Sequence, residues 1–124
     1  MKRLSTPWSV ASIRARQIDP MALPAGIILD AAAGSGIQLI AFSKILKRPA
    51  LGVEMEEDVA KLCAANMYLN SEGDVQRSLD RVLVGDGCSA ESAVSTYWSS
   101  LREAGTRAHP PVAMLHVDPA RPRA

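Results

Sequence analysis

Residues 27–36 read IILDAAAGSG, and this stretch decides the fold. The apolar run at residues 27–29 lies between turn signals, which is typical of a buried parallel strand. A glycine loop at residues 33–36 follows, and apolar periodicity predicts a helix from about Ile37 to Lys47. A strand that runs through a glycine-rich turn into a helix is the unit from which parallel α/β sheets are built.

The same unit recurs along the chain. Apolar runs at residues 50–53, 82–84 and 113–117 predict three further strands. Two intervening helices are indicated by apolar stripes, Val59, Leu62, Cys63 and Met67 in one and Val94, Tyr97, Trp98 and Leu101 in the other. Strands that alternate with helices imply right-handed crossovers. We therefore predict an α/β fold, a Rossmann-like three-layer sandwich with a mostly parallel sheet.

A short helix is predicted ahead of the first strand. Thr6 is a good N-cap, and Pro7 suits the first helical position. The apolar stripe of this helix consists of Trp8, Ala11, Ala15 and Ile18. We divide the chain into residues 1–25, an N-terminal helix and linker, and residues 26–124, the predicted sheet domain.

Composition excludes several classes of protein. A length of 124 residues suits one domain, and 48% apolar with 22% charged residues is ordinary for a globular chain. No run approaches the ~20 apolar residues that span a membrane, and the N-terminus lacks the apolar core of a secretory signal. We therefore expect a cytoplasmic protein without membrane contact. Cys63 and Cys88 form neither a CxxC pair nor a disulfide framework, and we expect no metal site.

An acid ends each predicted strand: Asp30, Glu54, Asp86 and Asp118. Ligands of open parallel sheets bind beyond the carboxyl ends of the strands, so these acids are expected to line one rim. One such acid is ordinarily a turn former or a helix cap, but four in register favour a binding site. Their charge disfavours the pyrophosphate of a nicotinamide dinucleotide, and Leu39 replaces the third glycine of the dinucleotide fingerprint.

A cationic nucleoside cofactor suits such a rim better. The glycine loop gives a ligand close access to the backbone. Glu54 has the spacing at which a carboxylate accepts hydrogen bonds from ribose hydroxyls. Asp86 is placed to accept from an adenine amino group, and Gly87 is expected to leave room for the ring. Together these expected contacts fit S-adenosylmethionine.

Four motifs carry a family resemblance. The sequence LDAAAGSG at residues 29–36 resembles the first motif of class I S-adenosylmethionine-dependent methyltransferases, and ALGVE at residues 50–54 resembles their second-strand acid. The sequence VGDG at residues 84–87 is similar to their adenine-site motif, and HVDPAR at residues 116–121 to their fourth motif. The ending resembles a subgroup of predicted RNA methylases related to trimethylguanosine synthases and to methyltransferases with a THUMP-like domain.

The resemblance implies a role for each position. The methionine part is expected on Asp30, Ala31, Gly34 and Gly36, the ribose on Glu54, and the adenine on Asp86 and Gly87. The predicted catalytic floor between cofactor and acceptor base is Asp118 and Pro119. Many enzymes that methylate exocyclic amines carry an aromatic residue next, whereas Ala120 and Arg121 stand here, so the acceptor atom stays open.

RNA is the expected methyl acceptor, by resemblance and by a basic set of residues. Arg14, Arg16 and Arg121 are the predicted RNA contacts, although a solvated helix face with a basic tail accounts for them at least as well. The net charge of +1 does not decide the matter. The alternatives are a small-molecule or protein acceptor, or a non-catalytic cofactor-binding module that works through a partner.

The resemblance also implies a larger sheet. The family fold continues with about three more strands beside the fourth, so we expect a truncated or split chain, or a partner chain that completes the sheet. His116 alternates with apolar positions in the predicted fourth strand, and we expect a structural role for it.

Overall fold

The computed structural model describes residues 6–70, 78–87 and 89–117. Every predicted helix and strand is present. In chain order they are α1 (Trp8–Arg16), β1 (Ile27–Asp30), α2 (Ile37–Leu46), β2 (Ala50–Glu54), α3 (Glu57–Leu69), β3 (Arg81–Val84), α4 (Ala90–Glu103) and β4 (Val112–His116). A 3₁₀ turn at Pro20–Ala22, which the sequence did not predict, precedes β1.

The strands form a parallel sheet in the order β3-β2-β1-β4. Asp30 at the end of β1 lies in register with Gly52 of β2 and with His116 of β4. The Rossmann-like α/β prediction is therefore confirmed. Because β1 is central, the loop that follows it lies in the middle of the carboxyl rim, between the ends of β2 and β4.

Helices cover both faces of the sheet. On one face, residues of α1, α2 and α3 pack with Ile28 and Ala50 into one buried cluster. On the other, Tyr97 and Leu101 of α4 pack against Ile27 and Leu51. The result is the expected three layers. No helix in the described ranges is both long and apolar enough to cross a bilayer.

A bulge at the start of β4 determines which way that strand points. Ile27 pairs with Val112, but Ile28 pairs with Met114, so Ala113 is an extra residue. Val112 therefore packs with the α4 cluster, whereas Met114 packs with the cluster under α2. Beyond the bulge, His116 shares the α2 face with Asp30.

Two predicted apolar stripes were partly wrong. Leu62 is 51% exposed, because the buried face of α3 is Ala60, Cys63 and Met67, and Leu62 is rotated away from it by one position. In α1, Trp8 is 45% exposed and Ser12 is buried instead, with its hydroxyl donating to the Trp8 carbonyl at 2.7 Å.

The first helix is packed into the sheet domain. Ala15 is fully buried in the same cluster as Ile28 and Leu39. The helix begins at Trp8 with Pro7 as its flanking residue, one position later than predicted. The helix α1 therefore shares its core with α2. The division of the chain at residue 25 stays a prediction.

Candidate functional site

Two buried carboxylates hold the glycine loop. Asp30 is 2% exposed, and its Oδ1 accepts a hydrogen bond from the Ala32 amide at 3.0 Å. Glu54 is 6% exposed, and its Oε1 and Oε2 accept from the amides of Gly34 and Glu56, each at 3.0 Å. Hydrogen bonds from amides to ionised oxygens are among the stronger ones in proteins. The two acids thus fix the loop between the ends of β1 and β2.

The glycines adopt conformations that the loop requires. Gly34 and Gly36 have φ values of 55° and 88°, in the left-handed region that side chains disfavour. A Cβ on Gly36 would lie 2.7 Å from the Cys63 sulfur. From α3, the Asn66 side-chain amide donates to the Ser35 carbonyl at 2.8 Å. The loop is therefore seated tightly on α3, and α2 begins directly after it.

Cys63 lies beneath the loop as a neutral thiol. Burial, together with the negative charges of Asp30 and Glu54, raises its pKa to about 12. A thiol with so high a pKa is not a nucleophile at neutral pH. Its predicted place in the apolar stripe of α3 agrees with its full burial.

The third strand brings its loop to the same rim. The Gly85 amide donates to the Glu54 carbonyl at 3.0 Å, and Asp86 is exposed beside it. A Cβ on Gly87 would lie 1.9 Å from the Ala31 carbonyl oxygen. Gly87 lacks the side chain that would prevent this close approach, and its expected place beside the adenine stays a prediction. The two loops are in close contact across the end of β2.

His116 was not predicted to belong to the rim. Its Nδ1 lies 3.2 Å from Asp30 Oδ2, its ring centroid lies 5.1 Å from that of Phe42, and its carbonyl accepts from the Ala31 amide at 3.2 Å. Apolar alternation in β4 indicated a strand but not the bulge that turns this side chain toward Asp30. The signal that could have indicated this contact is that β1 and β4 are parallel, so that Asp30 and His116, the last residues of the two strands, come to the same edge of the sheet.

The predicted RNA contacts are only partly described. Arg14 Nη1 donates to Gln38 Oε1 at 3.0 Å, which holds Arg14 against the first turn of α2, near the glycine loop. Arg16 is exposed at the end of α1. Asp118, Pro119 and Arg121 lie outside the described residues. Within the described ranges, no group of His, Cys, Asp and Glu side chains is arranged to hold a metal ion.

Comparison with known proteins gives a relationship of fold. No model of a known protein family and no curated protein matches the chain. A solved structure does match: an RNA methyltransferase from Salinibacter ruber in complex with S-adenosyl-L-homocysteine. The match has a TM-score of 0.54 and 17% sequence identity, and it covers 81% of this chain and 70% of that one. The two proteins share the Rossmann-like fold.

Proposed function

We propose that this protein is an S-adenosylmethionine-dependent methyltransferase that acts on RNA. One observation carries the proposal: two buried carboxylates, those of Asp30 and Glu54, accept hydrogen bonds from amides of the glycine loop at the carboxyl rim of the sheet. The match to an RNA methyltransferase solved with S-adenosyl-L-homocysteine supports it at the level of the fold. The subgroup named by sequence resemblance stays a prediction.

The residues at the rim fit the chemistry of the cofactor. Buried carboxylates favour a ligand that carries an ammonium and a sulfonium group, because opposite charges attract strongly where water is excluded. We assign the methionine part to Asp30, Ala31, Gly34 and Gly36. We assign the ribose to Glu54, which ends β2, because a carboxylate at this point of the sheet can accept hydrogen bonds from ribose hydroxyls. Asp86 and Gly87 are assigned to the adenine.

The cofactor would supply an electrophilic methyl group. Transfer then depends mainly on holding the acceptor in line with it, a task for positioned side chains rather than for a protein nucleophile. The buried thiol of Cys63 is consistent with a mechanism without covalent catalysis. Asp118 and Pro119 are proposed as the floor on which the acceptor base rests.

RNA is proposed as the acceptor because of where the basic residues lie. Arg14 of α1 contacts the first turn of α2, next to the glycine loop, and Arg16 is exposed at the end of α1. Guanidinium groups bind phosphate oxygens well and stack on bases. Together with Arg121, they are the proposed contacts to the RNA backbone. A partner chain that completes the sheet remains part of the proposal.

Calorimetric titration with S-adenosylhomocysteine tests the cofactor. We expect the wild-type chain to bind it, and Asp30→Asn and Glu54→Gln to weaken binding at least about tenfold, equivalent to roughly 1.4 kcal/mol. Glu103→Gln, an exposed acid at the end of α4, is the matched control and should bind like the wild type. Equal affinity in all four proteins would defeat the site, and tight NAD binding without S-adenosylhomocysteine binding would favour an oxidoreductase.

Fluorescence anisotropy with a labelled single-stranded RNA tests the acceptor. Arg14→Glu and Arg16→Glu should weaken binding and should each lower the slope of log K against log salt by about one. Arg102→Glu on α4, on the opposite face of the sheet, is the control and should leave affinity unchanged. If both α1 variants bind RNA like the wild type, the acceptor is a small molecule or a protein.

A further inference from the structure

His116 and Asp30 form a hydrogen-bonded pair at the rim. Asp30 Oδ2 lies 3.2 Å from His116 Nδ1, while Oδ1 accepts from the Ala32 amide. An ionised carboxylate has no hydrogen to donate, so the ring hydrogen of a neutral His116 belongs on Nδ1. The lone pair of the imidazole is then on Nε2.

Within the part of the chain that the structure describes, the second ring nitrogen of His116 is left open. Among the described residues, none forms a hydrogen bond with His116 Nε2. The His116 side chain is 16% exposed, whereas that of Asp30 is 3% exposed. The carboxylate of the pair is therefore buried, and the imidazole is the part that is accessible to solvent. The Phe42 ring packs beside the imidazole at an interplanar angle of 48° and limits its rotation.

The geometry points to His116 as the proton acceptor of the methyl-transfer reaction, with Asp30 as its positioning residue. This inference rests on the proposed function. His116 ends β4, two residues before Asp118, at the side of the rim where the acceptor floor is assigned. A carboxylate that binds one ring nitrogen fixes the tautomer, orients the ring and stabilises the imidazolium that forms at the other.

In this step the acceptor gains a methyl group and loses a proton. An electron pair of the acceptor atom forms the bond to the methyl carbon, the carbon–sulfur bond breaks with its pair left on sulfur, and the proton of the acceptor atom moves to His116 Nε2. The Asp30 carboxylate stabilises the resulting imidazolium until Nε2 returns the proton to water. The acceptor must then carry an N–H or O–H group, such as an exocyclic amine or a ribose hydroxyl. A ring nitrogen with an unprotonated lone pair has no proton to lose.

Two substitutions separate this role from a purely structural one. In His116→Asn, the side-chain amide can donate to Asp30 in place of Nδ1, but it has no basic nitrogen. If the role of His116 is structural, asparagine should restore the methyl-transfer rate. If His116 accepts the proton, asparagine should not restore it. His109→Asn is the matched control, because His109 is the other histidine of the chain and lies exposed against Trp98.

The first measurement does not depend on methyl-transfer activity. Nitrogen-15 NMR of the two imidazoles at alkaline pH should show His116 as the Nδ1–H tautomer. The second is methyl transfer to transfer and ribosomal RNA transcribed in vitro, measured across pH. His116→Asn should bind S-adenosylhomocysteine like the wild type but lose at least about 100-fold in kcat, together with the rise of rate with pH. His109→Asn should retain both.

The outcomes distinguish this inference from the proposed function. An Nε2–H tautomer, or a His116→Asn variant that keeps the wild-type rate and pH profile, would overturn the role of His116 alone. A wild-type chain that binds no S-adenosylhomocysteine and transfers no methyl group would overturn the proposed function, and the proton-transfer step with it.

Discussion

Replacing Gly36 with alanine tests how the glycine loop is seated. The added Cβ would lie 2.7 Å from the Cys63 sulfur, and the residue would keep a φ of 88°. A left-handed conformation costs a residue with a Cβ about 1–2 kcal/mol. Forcing an extra carbon into a packed interior costs about 1–3 kcal/mol more. We therefore expect Gly36→Ala to lower the free energy of unfolding by about 2–5 kcal/mol.

The two contributions can be separated in a double-mutant cycle. Cys63→Ala removes the sulfur and hence the clash but leaves the backbone strain, so Gly36→Ala should cost only about 1–2 kcal/mol in that background. Urea unfolding of the four proteins, extrapolated linearly to water, gives the coupling free energy. Gly85→Ala is the control, because a Cβ there meets nothing within 4 Å, and it should change stability by less than about 1 kcal/mol. If Gly36→Ala costs the same in both backgrounds, the loop is not seated on Cys63.

The same packing and burial determine how Gly87, Cys63 and Tyr97 respond to substitution and to pH. Gly87→Ala should destabilise the protein by about 1–3 kcal/mol in urea unfolding, because the Ala31 backbone cannot move away easily; a neutral effect would mean that the two loops are not in contact. In a Cys88→Ser variant, Cys63 should react with a thiol reagent at pH 8 only when the protein unfolds, since its pKa is raised to about 12; rapid labelling of the native state would contradict this. Burial raises the pKa values of Cys63 and Tyr97 from 9.0 and 10.0 to about 12, so stability present at neutral pH should be lost as pH rises from 9 toward 12. Tyr97→Phe should make this loss shallower, and a wild-type stability that stays flat over the range would refute the burial argument.

The order of strands and helices was predictable because apolar runs and turn residues carry that information locally. The convergence of Asp30 and Glu54 on one rim was predictable too, since parallel strands end on the same side. Their bonds to the amides of Ala32 and Gly34 were not, because spacing does not specify which donor a carboxylate binds.

Contacts between distant segments were hidden from the sequence. The single-residue bulge in β4 decides that His116 faces Asp30, and nothing in the alternation of apolar residues marks it. Arg48 lies just after the end of α2. Its guanidinium donates to carbonyls of the connection before β1, those of Pro20, Leu23, Pro24 and Gly26, and no local pattern in the sequence indicates these contacts.

Chemical-shift mapping by NMR tests the proposed site most directly. Titration of the nitrogen-15-labelled chain with S-adenosylhomocysteine should shift the amides of Ala32 and Gly34, which the strand-end acids bind, and that of Gly36 in the same loop. Amides at the opposite end of the sheet, such as that of Ala50, should stay unchanged. Shifts confined to that opposite end, or no shifts at saturating ligand, would contradict a methyl-donor site at the carboxyl rim.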